Sequence, residues 1–402
     1  MSVLLRRARL VDDRIVDVRL ADEHITAVGD LAPEPDEETI DLDGYLLLPA
    51  PAEPHAHLDK ALTADRVVNP TGDLVGAIVA WLAYRPSLSV DDIAERAERA
   101  ARINLAGGIT AIRTHVDVAA DFGIRSIEAL HQVRKNLDGL LDLQVVALTS
   151  CPLTGLEGAG NRAALRDAMD AGADVVGGCP HLDLDPTAAM HFALDMAGEL
   201  DRPIDLHTDE TLNEAMLNLA EFATAVRTSG FTAGACASHC VSLGMQDLVT
   251  QERVAALVAE ADMSVITLPQ TNLFLQGRDH RVGVPRGLTA LRPLLAAGAN
   301  LAAGGDNLQD PFNTMGRGDP METAALLVMA GHLRPDEAYQ TVSAAARRAM
   351  GLPVVTVTAG DPAELLAIHA MGLRDAVASA SVARIVFHRG RPVARTTITV
   401  TA

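Results

Sequence analysis

Ile204-Asp205-Leu206-His207-Thr208-Asp209-Glu210 begins as a short apolar strand and ends on an imidazole and two carboxylates. The same arrangement recurs further along the chain. Ala233–Ser238 runs into His239, and Leu301–Ala303 runs through Gly304-Gly305 into Asp306-Asn307. Tyr45–Pro49, Thr110–Val118, Leu143–Ser150, Val175–Gly178 and Ser264–Leu268 bring the short apolar segments to eight. Between them, stretches such as Val90–Leu105, Asn161–Ala171 and Asn213–Ser229 repeat apolar residues every three or four positions, as on one face of a helix. Eight alternating segments in about 300 residues is the arithmetic of an α/β fold, the (β/α)8 TIM barrel, whose parallel strands are covered on both faces. A doubly wound sheet would alternate similarly, but no glycine-rich phosphate loop follows the first strand.

The two ends have a different pattern. Val3-Leu4-Leu5, Ile15–Val18 and His24–Val28 are short alternating strands between charged turns, closed by the Pro- and acid-rich Ala32–Glu38. Val382–His388 and Val393–Val400 flank the turn Arg389-Gly390-Arg391-Pro392 in the same way. The expectation is a small β-sandwich built from both termini: residues 1–50 and 351–402, around a barrel over 51–350. The chain has 402 residues and a formal charge of −20, which argues against nucleic acid or an anionic membrane as partner. Aromatic residues at 3% argue against base-stacking platforms. No apolar run reaches the ~20 residues of a membrane span, and Met1–Asp13 lacks a signal-peptide core. Four cysteines form no disulfide framework, so a cytoplasmic location is expected. The sequence is compatible with a monomer or a homo-oligomer.

In a barrel, chemistry sits at the C-terminal ends of strands, and the metal-capable residues fall there. They are His55 and His57 in Pro54-His55-Ala56-His57-Leu58-Asp59, then His207, His239 and Asp306. His-x-His alone is a weak motif. In extended chain, however, residues i and i+2 share a side, so both rings can reach one ion. Imidazoles with one carboxylate suit Zn2+ or Fe2+ and leave room for water. His115 and His181 also end strands and read as site lining or support. Cys236 and Cys240 read as buried small apolar residues, and Met315, Met321, Met329 and Met350 as core filling.

These segments, together with Asn272-Leu273-Phe274-Leu275-Gln276-Gly277-Arg278 and Asp306-Asn307 followed by Asp310-Pro311, resemble the amidohydrolase superfamily and its cytosine-deaminase-like branch. The resemblance covers nearly the whole chain and implies a distorted metal-bearing barrel with a terminal β-sandwich. It implies His55, His57, His207 and Asp306 as ligands of one divalent ion, Glu210 as proton shuttle, and His239 as the group holding the attacking hydroxide. Asp306 would also accept the proton of the metal-activated water. Binuclear relatives carry a carboxylated lysine after the fourth strand. This chain has only Lys60 and Lys135, and Gly178-Cys179-Pro180-His181 stands at that place, so one ion is expected.

The implied reaction is hydrolytic deamination of a small aminated heterocycle, cytosine or a related cyclic amidine. The alternatives are hydrolysis of a cyclic or linear amide at the same centre, or a catalytically silent metabolite-binding relative. Cytosine deaminases have a glutamine after the third strand, where this chain has Thr149-Ser150-Cys151-Pro152. They also have a second aspartate where this chain has Asn307. An amide donates as well as accepts, so it cannot act as the same proton-linked partner. The ring's identity therefore stays open. Asn307, Gln270, Gln276, Ser150 and His181 are the expected substrate-binding residues, with Asn272 a further neutral group near the ring.

Overall fold

The structure, a computed structural model, describes residues 2–399. The chain first lays down β1 (Val3–Arg9), β2 (Ile15–Ala21), β3 (His24–Gly29), β4 (Glu38–Asp41) and β5 (Tyr45–Pro49). The barrel strands follow: β6 (Ala52–Ala56), β7 (Ala111–Val118), β8 (Asp142–Thr149), β9 (Val175–Gly178), β10 (Ile204–Thr208), β11 (Ala235–His239), β12 (Ser264–Thr267) and β13 (Asn300–Ala303). They pair in parallel and in sequence order from β6 to β13. A bridge between Ala56 and Asp306 joins the last strand's end to the first. The chain then returns to the terminal sheet as β14 (Leu365–His369), β15 (Arg384–His388) and β16 (Arg391–Thr396). Val400, the expected end of the last strand, lies outside the described residues.

The fold is the expected α/β barrel with a separate mixed sheet from both termini. That sheet runs β16-β15-β14-β5-β1-β2-β3, with β4 on β1. Its alternating side chains serve two cores. Leu46, Leu48, Leu366, Ile368 and Val386 pack toward the barrel's helices. Leu47, Leu365, Ala367, Ile385 and Phe387 pack with Val18, Leu20 and Ile25 from the other half of the same sheet.

One barrel strand is corrected. Tyr45–Pro49 is not the first stave but β5, paired with β14 and β1 in the terminal sheet. The first barrel strand is Ala52-Glu53-Pro54-His55-Ala56, so His55 lies within a strand rather than after one. Polar residues hide this strand from a hydrophobicity reading, although all five are buried. Pro54 lacks an N–H, and the pairing with β7 shifts register between Glu53 and Ala56, which accommodates it.

The helices obey ordinary end rules. The first, α1 (Leu74–Tyr84), is capped by Asp73, whose side chain accepts from Gly76 N. The next, α2 (Val90–Ala106), is capped by Ser89 and begins with Asp91 and Asp92 against the positive helix end. Its face of Ile93, Ala97, Ala100, Ala101 and Leu105 is buried. The helix expected from Asn213 starts only at Asn218. Asp209 accepts the Asn218 and Leu219 amides at 3.1 and 2.9 Å, fixing the start from nine residues upstream. Met321 and Met350 are core, whereas Met315 and Met329, read as core, are 70% and 66% exposed. No helix among the described residues is long and apolar enough to cross a membrane.

Candidate active site

Strands β6, β10 and β11 and the turn after β13 deliver their last side chains to the C-terminal mouth of the barrel. The chain turns sharply there. His239 and Asp306 have φ of 69° and 63°, left-handed conformations that non-glycine residues adopt at a cost and that cluster at functional sites. A cavity of about 640 Å3 opens above them, lined among others by His57, Lys60, Trp81, Arg85, Asp117, Ser150, His207, Glu210, His239, Asp306 and Asn307.

Three imidazole nitrogens converge. His207 Nε2 lies 3.2 Å from both His55 Nε2 and His57 Nε2. Asp306 Oδ1 is 3.3 Å from His57 Nε2 and 3.7 Å from His55 Nε2. The outer nitrogens decide which protons are present. His57 Nδ1 faces the His115 carbonyl at 3.0 Å, and a carbonyl only accepts, so Nδ1 carries the proton. Ser238 Oγ donates to Asp205 at 2.8 Å and must therefore accept from His55 Nδ1, also at 2.8 Å. Both rings thus turn bare Nε2 lone pairs toward His207 and toward Asp306. Both Asp306 oxygens are buried and have no hydrogen-bond partner among the described residues. Lone pairs facing lone pairs and an unpartnered carboxylate are unfavourable unless a cation sits among them. Burial and the adjacent imidazoles hold His55 and His207 well below the usual imidazole range, which keeps them neutral. The donor set fits a metal ion.

His239 and Glu210 stand beside this cluster. His239 Nδ1 meets Asn272 Oδ1 at 3.1 Å and Glu210 Oε1 at 3.5 Å, while Nε2 is 4.0 Å from Asp306 Oδ2. Because the amide oxygen accepts, His239 carries its proton on Nδ1 and offers Nε2 as a base. Burial, reinforced by the Asp306 charge, raises the Glu210 carboxyl well above the usual range, so it holds a proton.

The expected substrate-binding residues divide. Ser150 and Asn307 line the cavity. The Asn307 amide is already anchored, donating to Asp310 Oδ2 at 2.8 Å and accepting from Thr271 Oγ1 at 3.3 Å. Gln270, Gln276 and His181 are not part of the cavity wall. Gln270 Nε2 donates to Thr323 Oγ1 at 2.6 Å, and Gln276 Nε2 to the Glu210 carbonyl at 3.3 Å. His181 Nδ1 faces the His207 carbonyl at 3.1 Å. Asn272 is fully buried against His239 rather than lining the cavity. His115 stacks on His55 with ring centroids 3.9 Å apart, behind the cluster.

Sequence reasoning missed the supports. Glu53 accepts the His55 N–H at 3.1 Å and the Gly305 N–H at 2.7 Å, tying the first strand to the last. Asp205 joins Ser238 to Arg113, whose Nη1 lies 3.0 Å away. The available signal was period-two spacing: Glu53 precedes His55 by two residues, and Asp205 precedes His207 by two, so each shares a face with a ring.

The family model described as the amidohydrolase family matches residues 87–394. The chain belongs to that family. This amidohydrolase is an enzyme acting on non-peptide C–N bonds, and its family uses a metal centre. It is 33% identical over 361 residues to a pterin deaminase of Rhizobium rhizogenes, covering 88% of this chain and 82% of that protein. Its fold superimposes on 5-methylcytosine deaminase from Klebsiella pneumoniae liganded with 5-fluorocytosine, with a TM-score of 0.89 and 27% identity, over 100% of this chain and 99% of that one. N-isopropylammelide isopropylaminohydrolase from Burkholderia multivorans follows, with a TM-score of 0.86 and 28% identity over 98% of both chains.

Proposed function

We propose that this amidohydrolase is a metal-dependent deaminase of a small aminated heterocycle. The observation that carries the reading is the meeting of three ring nitrogens and Asp306 with a protonated Glu210 and the bare Nε2 of His239 on one cavity floor. His55, His57, His207 and Asp306 would hold one divalent ion, Zn2+ or Fe2+, since both accept imidazole and carboxylate. Such an ion supplies Lewis acidity that brings the pKa of water toward ~7.

The remaining work falls to side chains. His239 Nε2, fixed by Asn272, holds the attacking water by its proton, and Asp306 is the second acceptor nearby. Water adds to the ring carbon that bears the amine. His239 takes one proton of the water as it adds, and Glu210 gives its own proton to the ring nitrogen. Glu210 then takes the hydroxyl proton of the adduct and passes it to the departing amine, so the C–N bond breaks to ammonia and an oxo ring. The proton on His239 restores Glu210. The relatives named for pterin and 5-methylcytosine deamination support a ring of this class.

The test is an ammonia-release screen over aminopyrimidines, pterins and aminotriazines, with metal content measured on the same sample. Ammonia from at least one ring, lost on chelation and restored by Zn2+ or Fe2+, is the expected result. Ring opening without ammonia would favour amide hydrolysis at the same centre. Full turnover by metal-stripped protein would refute the proposal.

A further inference from the structure

Beneath the imidazole cluster, five barrel strands each give one side chain to a single hydrogen-bonded chain. It starts at a backbone carbonyl, that of Met350, which accepts from Gln144 Nε2 on β8 at 2.9 Å. Gln144 Oε1 accepts from Arg113 Nε on β7 at 3.0 Å. Arg113 Nη1 donates to Asp205 Oδ2 on β10 at 3.0 Å and lies 3.3 Å from Cys236 Sγ. Asp205 Oδ1 accepts from Ser238 Oγ on β11 at 2.8 Å, and Ser238 Oγ meets His55 Nδ1 on β6 at 2.8 Å. Arg113 is 2% exposed, and Asp205, Ser238 and His55 are fully buried. None of the five side chains belongs to the cavity wall, so none is placed to touch a substrate.

The direction of every bond follows from the groups that have no choice. A carbonyl only accepts, so Gln144 turns its NH2 to Met350 and its oxygen to Arg113. A guanidinium only donates, so the atom of residue 205 that faces it must be an acceptor. His115 Nε2, 3.6 Å from the same Asp205 oxygen, is too distant to take the guanidinium's place. A carboxylate meets that demand with one oxygen and keeps a second acceptor for Ser238. Ser238 has one proton and, among the described residues, two side-chain partners, Asp205 and His55. With its proton directed to Asp205, it can only accept from His55, so the ring proton sits on Nδ1 and Nε2 is bare. An amide at position 205 would reverse the chain. Its oxygen would be held by Arg113, its NH2 would turn to Ser238, and the serine would donate to His55 Nδ1. The ring proton would then lie on Nε2, the atom that faces His207.

We infer that Arg113 is a positioning residue for the metal centre: acting through Asp205 and Ser238, it sets which nitrogen of His55 carries the proton. A buried charge on β7 thereby decides whether one proposed ligand is presented as a lone pair. Net stability is a weak reason for such a pair, since well-packed apolar residues replace buried ion pairs at little cost. A fixed hydrogen-bond direction is what apolar residues could not supply. The inference rests on the ligand set proposed above and adds the residue that governs its tautomer.

The test reads the ring directly, in the full-length chain stripped of metal and labelled with 15N-histidine, His55 being assigned by the signal that His55→Gln removes. Wild type should show the Nδ1–H form. Asp205→Asn should move the proton to Nε2 and weaken Zn2+ binding, measured by chelator competition, about 10–100-fold. Adding Arg113→Met frees the amide to turn its oxygen to Ser238. The double variant should therefore return part of the way to Nδ1–H and regain part of the Zn2+ affinity. A merely structural pair predicts the opposite: the double variant binds Zn2+ no better than the single one, and the ring stays Nδ1–H throughout. That result would overturn the inference, and so would an Nε2–H ring in wild type. If Asp205→Asn does not fold, the double variant, which holds no unpaired buried charge, decides alone. A mixture of ring forms in it supports the inference, and Nδ1–H alone ends it. Wild-type protein that binds no Zn2+ would sink the metal-centre reading instead, while the ring forms, read without metal, still decide what Arg113 does to His55.

Discussion

Replacing Glu210 with glutamine keeps the side chain's size and removes the proton that it can surrender. Because burial holds that carboxyl protonated, the loss falls on transfer to the ring and leaving group rather than on binding. Glu210→Gln should lower kcat by about 10²–10⁴-fold while metal content and KM change little. An unchanged kcat would remove Glu210 from the mechanism. Ser238 is a subtler case. It is not part of the cavity wall, but it donates its hydrogen bond to Asp205 and so obliges His55 to present a lone pair at Nε2. Ser238→Ala should weaken metal affinity by about 10–100-fold, measured by competition with a chelator. The convergence of His55, His57, His207, His239 and Asp306 was legible because the C-terminal ends of barrel strands meet at one mouth. Ser238 and Asp205 were not, and Asn272 was read as a group near the ring rather than as the partner of His239, because such roles depend on which neighbour takes each proton. Gln270 and Gln276 illustrate the reverse error. Amides near a motif look like substrate readers until their partners, Thr323 and the Glu210 carbonyl, are seen.

Among the elements, helices and most barrel strands follow from periodicity, and their ends follow from caps. The misassigned first strand shows where periodicity fails. In β6 the inward residues are Glu53 and His55, so a fully buried strand carries the composition of a loop. The late helix start at Asn218 has a similar origin, since its cap, Asp209, lies far upstream in sequence. In the terminal sheet, Glu37 fastens the segment before β4 to β2. It accepts from Arg19 Nε at 2.7 Å, from Ser2 Oγ at 2.6 Å and from the Glu34 amide at 3.0 Å. The Arg19 contact first, and then the Ser2 and Glu34 donors, hold the Glu37 carboxyl down at about 2, against 4.5 for an unperturbed one. The unfolded chain therefore binds the proton first as pH falls. The stabilisation is complete above about 4.5 and disappears as pH drops toward 2. Urea midpoints of wild type and Glu37→Gln should differ at neutral pH and converge through that window. A constant difference would mean that the carboxylate is not the cause.

At the level of the whole molecule, two cores share one sheet, and the barrel gathers the candidate site at one end. That polarity was readable from the sequence because His207, His239 and Asp306 all follow apolar strands. The meeting of the first and last strands was not readable, since it depends on residues 250 positions apart finding one another. Asp306 N donates to the His55 carbonyl at 3.0 Å, and His57 N lies 3.3 Å from the Asp306 carbonyl. The backbone of the proposed ligands is therefore the joint that completes the barrel.

An ion seated among those side chains would act on the barrel as a rivet acts on a hoop, pinning the overlap where the ring of staves was closed last. Stripping it with a chelator should speed deuterium uptake at the His57 and Asp306 amides while the β7–β8 seam keeps its protection. Uniform uptake around the ring would show that the joint holds without its rivet. If the local loosening is found, starvation for metal would do more than silence this enzyme: it would unlatch the barrel at its own mouth and expose the empty protein to proteolysis there first.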